Sequence, residues 1–135
     1  MDAPRASSRN DLVSSIVIAT FGIFTLALGV WALVDTSSFY DNIAEFPPYN
    51  RHLLHDVGAF QVGLGAALLF ALIWRGDAIL AALGGASAGA VTHWIAHVAD
   101  DGMGGRSSDP YSLGIIAAIL ALTFAWRFYV RYQPR

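Results

Sequence analysis

Four stretches of the chain carry no charged side chain: residues 12–34, 57–74, 78–99 and 110–126. Each is close to the ~20 residues that a helix needs to cross a hydrocarbon layer about 30 Å thick. Backbone polar groups in such a layer must be paired within the segment, which selects helices over lone strands. The pattern predicts an all-α integral membrane four-helix bundle, up-down-up-down, with crossings near 12–34, 51–74, 78–99 and 110–130. The flanks carry matching signals. Asn10 and Asp11 are placed to cap the first helix and Asn50, after Pro47-Pro48, the second; Gly76-Asp77 makes a tight turn, and Asp109-Pro110 opens the fourth. Two longer polar segments, 35–50 and 100–109, then fall on the same side, and 37–45 within the first reads as a short helix lying on the surface.

Composition supports this picture. The 135 residues allow one transmembrane domain, with 56% hydrophobic and 13% charged residues and a mean hydropathy of +0.51. The first apolar run follows Arg5 and Arg9 as in a secretion signal, but its 23 residues exceed the usual apolar core of one, so it is read as retained. No cysteine is present, which removes disulfides, thiolate metal sites and thiol redox chemistry. A formal charge of −2 gives no reason to expect nucleic acid. Arginine placement sets an orientation. Arg5, Arg9, Arg75, Arg127, Arg131 and Arg135 fall on the side of the termini, and Arg51 and Arg106 on the side of the long loops, so both termini are expected in the cytoplasm and the loops outside.

All four histidines lie where the second span enters from outside, "NRHLLHDVGAF", and where the third leaves toward it, "VTHWIAHVADD". Counting about 1.5 Å per residue puts His52 at the rim, His55 and His97 about 5 Å inside, and His93 about 10 Å inside. At about 100° per residue, His52, His55 and Asp56 share an arc with Ala59, Gly63 and Ala66 while Gln61 points the other way. His93 and His97 continue the four-residue row of Gly85 and Gly89, a GxxxG pair expected to let another helix approach closely. Because only three residues separate the second and third spans, the two clusters are expected to meet. Imidazoles at i and i+4 can both reach one ion, and a facing helix can supply the rest, so His52, His55, Asp56, His93 and His97 form a candidate site for zinc, copper, iron or manganese at the outer mouth. Asp100 and Asp101 stand as further ligands, supporting groups or solvated loop residues. The plainer alternative is a hydrogen-bonded pair, Asp56 with His93 or His97, that holds two helices together. "DDGMGGRSSD" lacks the spacing of a calcium loop, and the serines of "SSDPYS" have no base and orienting group beside them.

Residues 47–69, "PPYNRHLLHDVGAFQVGLGAALL", resemble a loose group of small four-helix bacterial membrane proteins, actinobacterial in type and distantly similar to DoxX-like proteins, in which an aspartate-valine-glycine segment (Asp56, Val57 and Gly58) opens the second helix. The resemblance implies a four-helix fold in a bacterial cytoplasmic membrane and no particular activity, and it does not reach His93 or His97. Three functions follow as expectations: a metal-coordinating membrane protein with metal-assisted or redox chemistry; a haem electron-transfer subunit with one axial histidine from each of the two middle spans; and a non-catalytic accessory or lipid-binding subunit, as a homo-oligomer or within a larger membrane complex.

Overall fold

A computed structural model of the chain describes residues 6–133 apart from Asp101, with side chains from Asp11 onward. Arg5, Asp101 and Arg135 of the expectations above lie outside the described residues. The described residues form five helices and no strand: α1 (Ala6–Val34), α2 (Thr36–Asn42), α3 (Arg51–Trp74), α4 (Asp77–Ala99) and α5 (Asp109–Tyr132). The four long ones are each apolar and long enough to cross a membrane.

The helix ends follow from local chemistry, with two departures. Asn50 caps α3, its Oδ1 accepting the Leu53 N–H at 3.1 Å. Asp35 caps α2 by accepting the Ser38 N–H, so the short helix exists but starts a residue earlier than expected and ends three sooner. Asn10 and Asp11 do not cap α1, which already begins at Ala6; the Asp11 carboxylate is engaged by Arg127 instead. Asp109 is the first residue of α5 rather than its cap, and its Oδ2 reaches back to accept the Arg106 N–H at 2.9 Å. The turn between α3 and α4 uses two residues of positive φ, Arg75 at 55° and Gly76 at 53°.

The most extensive helix contact is α1 against α3, and the next is α4 against α5; α3 and α4, though joined by a short turn, touch much less. Backbones approach closely along α1/α3. A Cβ on Gly29 would stand 2.7 Å from the Gly58 carbonyl oxygen and the Val62 nitrogen, and one on Gly65 would stand 2.7 Å from the Leu26 nitrogen. Gly22 and Gly29 on α1 thus meet Gly58 and Gly65 on α3, two pairs at seven-residue spacing, and the contacts run in opposite chain directions. This corrects the expected packing seam. A Cβ on Gly63, Gly85 or Gly89 would meet nothing within 4 Å, so the GxxxG pair of α4 holds no neighbouring helix.

The buried core lies toward the chain termini. Ile18, Leu68, Ile79, Leu83, Ala86 and Leu120, from all four long helices, form its fully enclosed cluster. Beyond it Arg127, only 8% exposed, joins three segments: its Nη1 donates to Asp11 Oδ1 at 2.8 Å and its Nη2 to the Gly76 carbonyl at 3.1 Å. Arg131 adds a solvent-side pair with Asp77, Nε to Oδ1 at 3.0 Å. At the opposite end lie the two long loops, on the same side as expected, and they pack against each other. Gly105 N–H donates to the Glu45 carbonyl at 2.9 Å, and Phe46 lies against Gly104 and Gly105. A second small core, Ala32, Phe39 and Leu54, fastens α2 over α1 and α3.

Candidate functional site

The histidines fall into two separate groups. On α3, His52 is exposed and lies 3.6 Å from the Asp56 carboxylate one turn on, a pair with no other partner among the described residues. His55 turns toward α2, its Nε2 2.9 Å from the Thr36 hydroxyl. Thr36 is buried, and its one hydroxyl proton goes to the Ala32 carbonyl at 2.9 Å, so the ring donates Nε2–H to it. That bond leaves His55 Nε2 with no lone pair to offer and makes the residue a brace between α3 and α2.

On α4, His93 and His97 face each other with Nε2 atoms 3.1 Å apart, the consequence of two imidazoles one helical turn apart turned to the same side. The Nδ1 of His97 looks toward Asp109 Oδ2 at 4.0 Å, and Phe46 sets its ring edge-on to His97 at a centroid distance of 5.5 Å. Asp109 is itself fixed by the Arg106 N–H. A carboxylate on the Nδ1 side favours the tautomer with Nδ1–H and a bare Nε2 on His97. His93 then donates to that nitrogen, unless an ion takes the position between them.

No hydrogen bond, ion pair or ring contact joins a histidine of α3 to one of α4 among the described residues. Nor do the described residues contain a group of three or more histidines and carboxylates disposed around one ion. The expected five-residue arrangement is therefore divided: His52, His55 and Asp56 stand apart from His93 and His97. The Asp56–histidine bridge between helices is likewise not formed, since Asp56 pairs within its own helix. The physical reason is the pairing of helices. The glycine contacts turn α3 toward α1, and His55 then meets Thr36 at the α1–α2 corner rather than the histidines of α4.

Around His93 and His97 the loops leave a cavity of about 520 Å³, walled by Phe46, Asp100, Gly104, Arg106 and Pro110. His93 also lines a second cavity of about 280 Å³ in the loop-side half of the bundle, where all four long helices contribute. Gln61, which the helical wheel turns away from the α3 histidines, lines this inner cavity. Asp109 and Phe46 arrive from loops that fold back over the end of α4; the sequence signalled Asp109 only as a helix start and gave no sign of Phe46.

Comparison with known protein families, with curated proteins and with solved structures finds no match to this chain.

Proposed function

We propose that the chain is a four-helix integral membrane protein, with both termini in the cytoplasm, that binds a divalent transition metal between His93 and His97 at its outer mouth. The membrane reading rests on the surface. Of the most apolar 18-residue stretches of the four long helices, 17–28% is buried inside the protein, and Phe60 and Val34 are each 81% exposed. Apolar area of that extent needs lipid to cover it. Single cysteines introduced into this cysteine-free chain test the orientation: Ser38→Cys should react with a membrane-impermeant maleimide on intact cells, and Gln133→Cys only after lysis. The reverse result would invert the topology.

The observation that carries the metal reading is the pair of Nε2 atoms 3.1 Å apart beside an open cavity. Two imidazole nitrogens at ~2.0–2.1 Å from a tetrahedral ion stand roughly 3.3 Å apart, so the pair is set for an ion with little movement. The Asp109 carboxylate lies 4.0 Å from His97 Nδ1, longer than a hydrogen bond, on the side from which carboxylates orient ligating imidazoles. Two protein donors leave coordination positions for water or a bound molecule, the condition for Lewis-acid chemistry. The test is zinc or copper binding by the purified full-length chain. His93→Ala and His97→Ala should each weaken affinity at least tenfold, whereas His52→Ala and His55→Ala should leave it unchanged. Equal affinity in wild type and the two α4 variants would reduce the pair to a hydrogen bond.

A further inference from the structure

The inner cavity has three features that a packing defect does not share. Its first is Gln61. This residue stands near the midpoint of α3, about 15 Å from its start and about 20 Å from its end at ~1.5 Å per residue, and its amide makes no hydrogen bond with any described group. An amide at that depth cannot turn to bulk water, and leaving it unpaired in an apolar setting is costly. Its second is the glycine wall. Gly85 and Gly89 face the cavity, and the space a Cβ would fill at each is empty, so these residues keep volume open rather than bring helices together. Its third is an adjoining apolar cleft. A cleft of about 350 Å³ between α1 and α5, lined by Ile16, Val17 and Ile119, shares Phe21, Phe24 and Ile116 with the cavity.

We infer that this cavity binds a lipid-soluble molecule of one or two rings bearing a hydroxyl or carbonyl, which enters between α1 and α5 and bonds to the Gln61 amide. The apolar entrance selects a ligand that arrives through the acyl phase. The amide, which both donates and accepts, selects one with a polar handle. The size follows from the volume, equal to about nine waters at roughly 30 Å³ each. His93 lines both this cavity and the outer one, so a ligand seated here lies directly beneath the histidine pair. The inference does not depend on a metal being there, because Gln61 is not among the proposed donors.

The experiment uses the full-length chain in phosphatidylcholine nanodiscs, with 1-naphthol and its hydrocarbon counterpart naphthalene as probes and uptake corrected for empty discs. Saturable uptake of 1-naphthol at one per chain is expected, about tenfold tighter than naphthalene. Gln61→Leu should abolish that tenfold preference while naphthalene still binds and zinc binding is unchanged. Gly89→Leu should remove both probes; because a large side chain can also unsettle the fold, its helical content and melting are compared with wild type, and Gly89→Ala provides a graded loss without that risk. Uptake no greater than in empty discs, as for a cavity holding water alone, would overturn the inference, as would a naphthol preference that survives Gln61→Leu.

Discussion

The two halves of the bundle are built on opposite plans. In the half nearest the termini, Ile18, Leu68, Ile79, Leu83 and Leu120 close the space between the helices, and Arg127 ties α1, the α3–α4 turn and α5 into one unit. In the half nearest the loops the same four helices line a partly open cavity, and the groups beside it are an unpaired amide and a pair of imidazoles. Close packing supplies stability that the hollow half does not contribute. Polar groups with spare bonding capacity are tolerable there because the rest of the molecule is fixed independently. The difference teaches that small residues have two unrelated uses within one bundle: on α1 and α3 they admit a neighbouring backbone, and on α4 they leave room.

The largest expected effect tests that division directly. Gly29→Leu places a branched side chain where a bare Cβ would already stand 2.7 Å from backbone atoms of α3. Neither backbone can withdraw without opening the most extensive interface in the molecule, so the cost should exceed about 3 kcal/mol. Loss of a monodisperse, cooperatively melting protein is the expected outcome. A normal melt would mean that α1 and α3 are not so closely apposed.

Next in size is Arg127→Leu. Removing the guanidinium leaves the Gly76 carbonyl and the Asp11 carboxylate without their donor. Breaking a buried ion pair costs about 3–5 kcal/mol, but the Asp11 side chain is 41% exposed, so about 2 kcal/mol is the reasonable expectation. Thermal unfolding in detergent should show it. Arg127→Lys should recover little, because one ammonium cannot serve both acceptors in the fork geometry of the native residue. Arg131→Ala, which removes a pair between exposed groups, should leave the melting temperature where it was.

The hollow half should respond to protons more than to packing changes. Metal held by two imidazoles competes with protons for the same nitrogens, so affinity should fall as the pH is lowered. Zinc titrations at pH 5 and pH 8 should differ at least tenfold; a flat profile would remove imidazole ligation and with it the proposed metal site.

These contrasts also mark what the sequence could and could not convey. Helix extents were legible because span length and apolar content are strict requirements. The second span, expected at 51–74, is α3 at Arg51–Trp74, and the third, expected at 78–99, differs from α4 by one residue. That the two loops lie at the same end was legible from the same count. Rotation about the helix axis was not. Depth placed His55 and His97 at one level, but which way each turns depends on which neighbour the helix packs against, and several glycines on each helix fit a plausible seam. The choice of Gly58 and Gly65 over Gly63 depends on matching positions on α1, far away in sequence. Gln61 was visible as turned away from the histidines; that it lines a cavity to which all four long helices contribute required their arrangement.

The smallest expected effect is the most discriminating in sign. Gly85 belongs to the one GxxxG pair on α4, and a helix interface there would make any added atom harmful. In the structure its added Cβ meets nothing within 4 Å. Gly85→Ala therefore incurs no clash and gains helix propensity, since glycine in a helix interior is less favourable than alanine by roughly 0.5–1 kcal/mol. A rise of a few degrees in melting temperature, with no change in oligomeric state, is the expected result. A fall would return Gly85 and Gly89 to the role of a helix-packing face, and the cavity beside them would have to be occupied by a neighbouring helix.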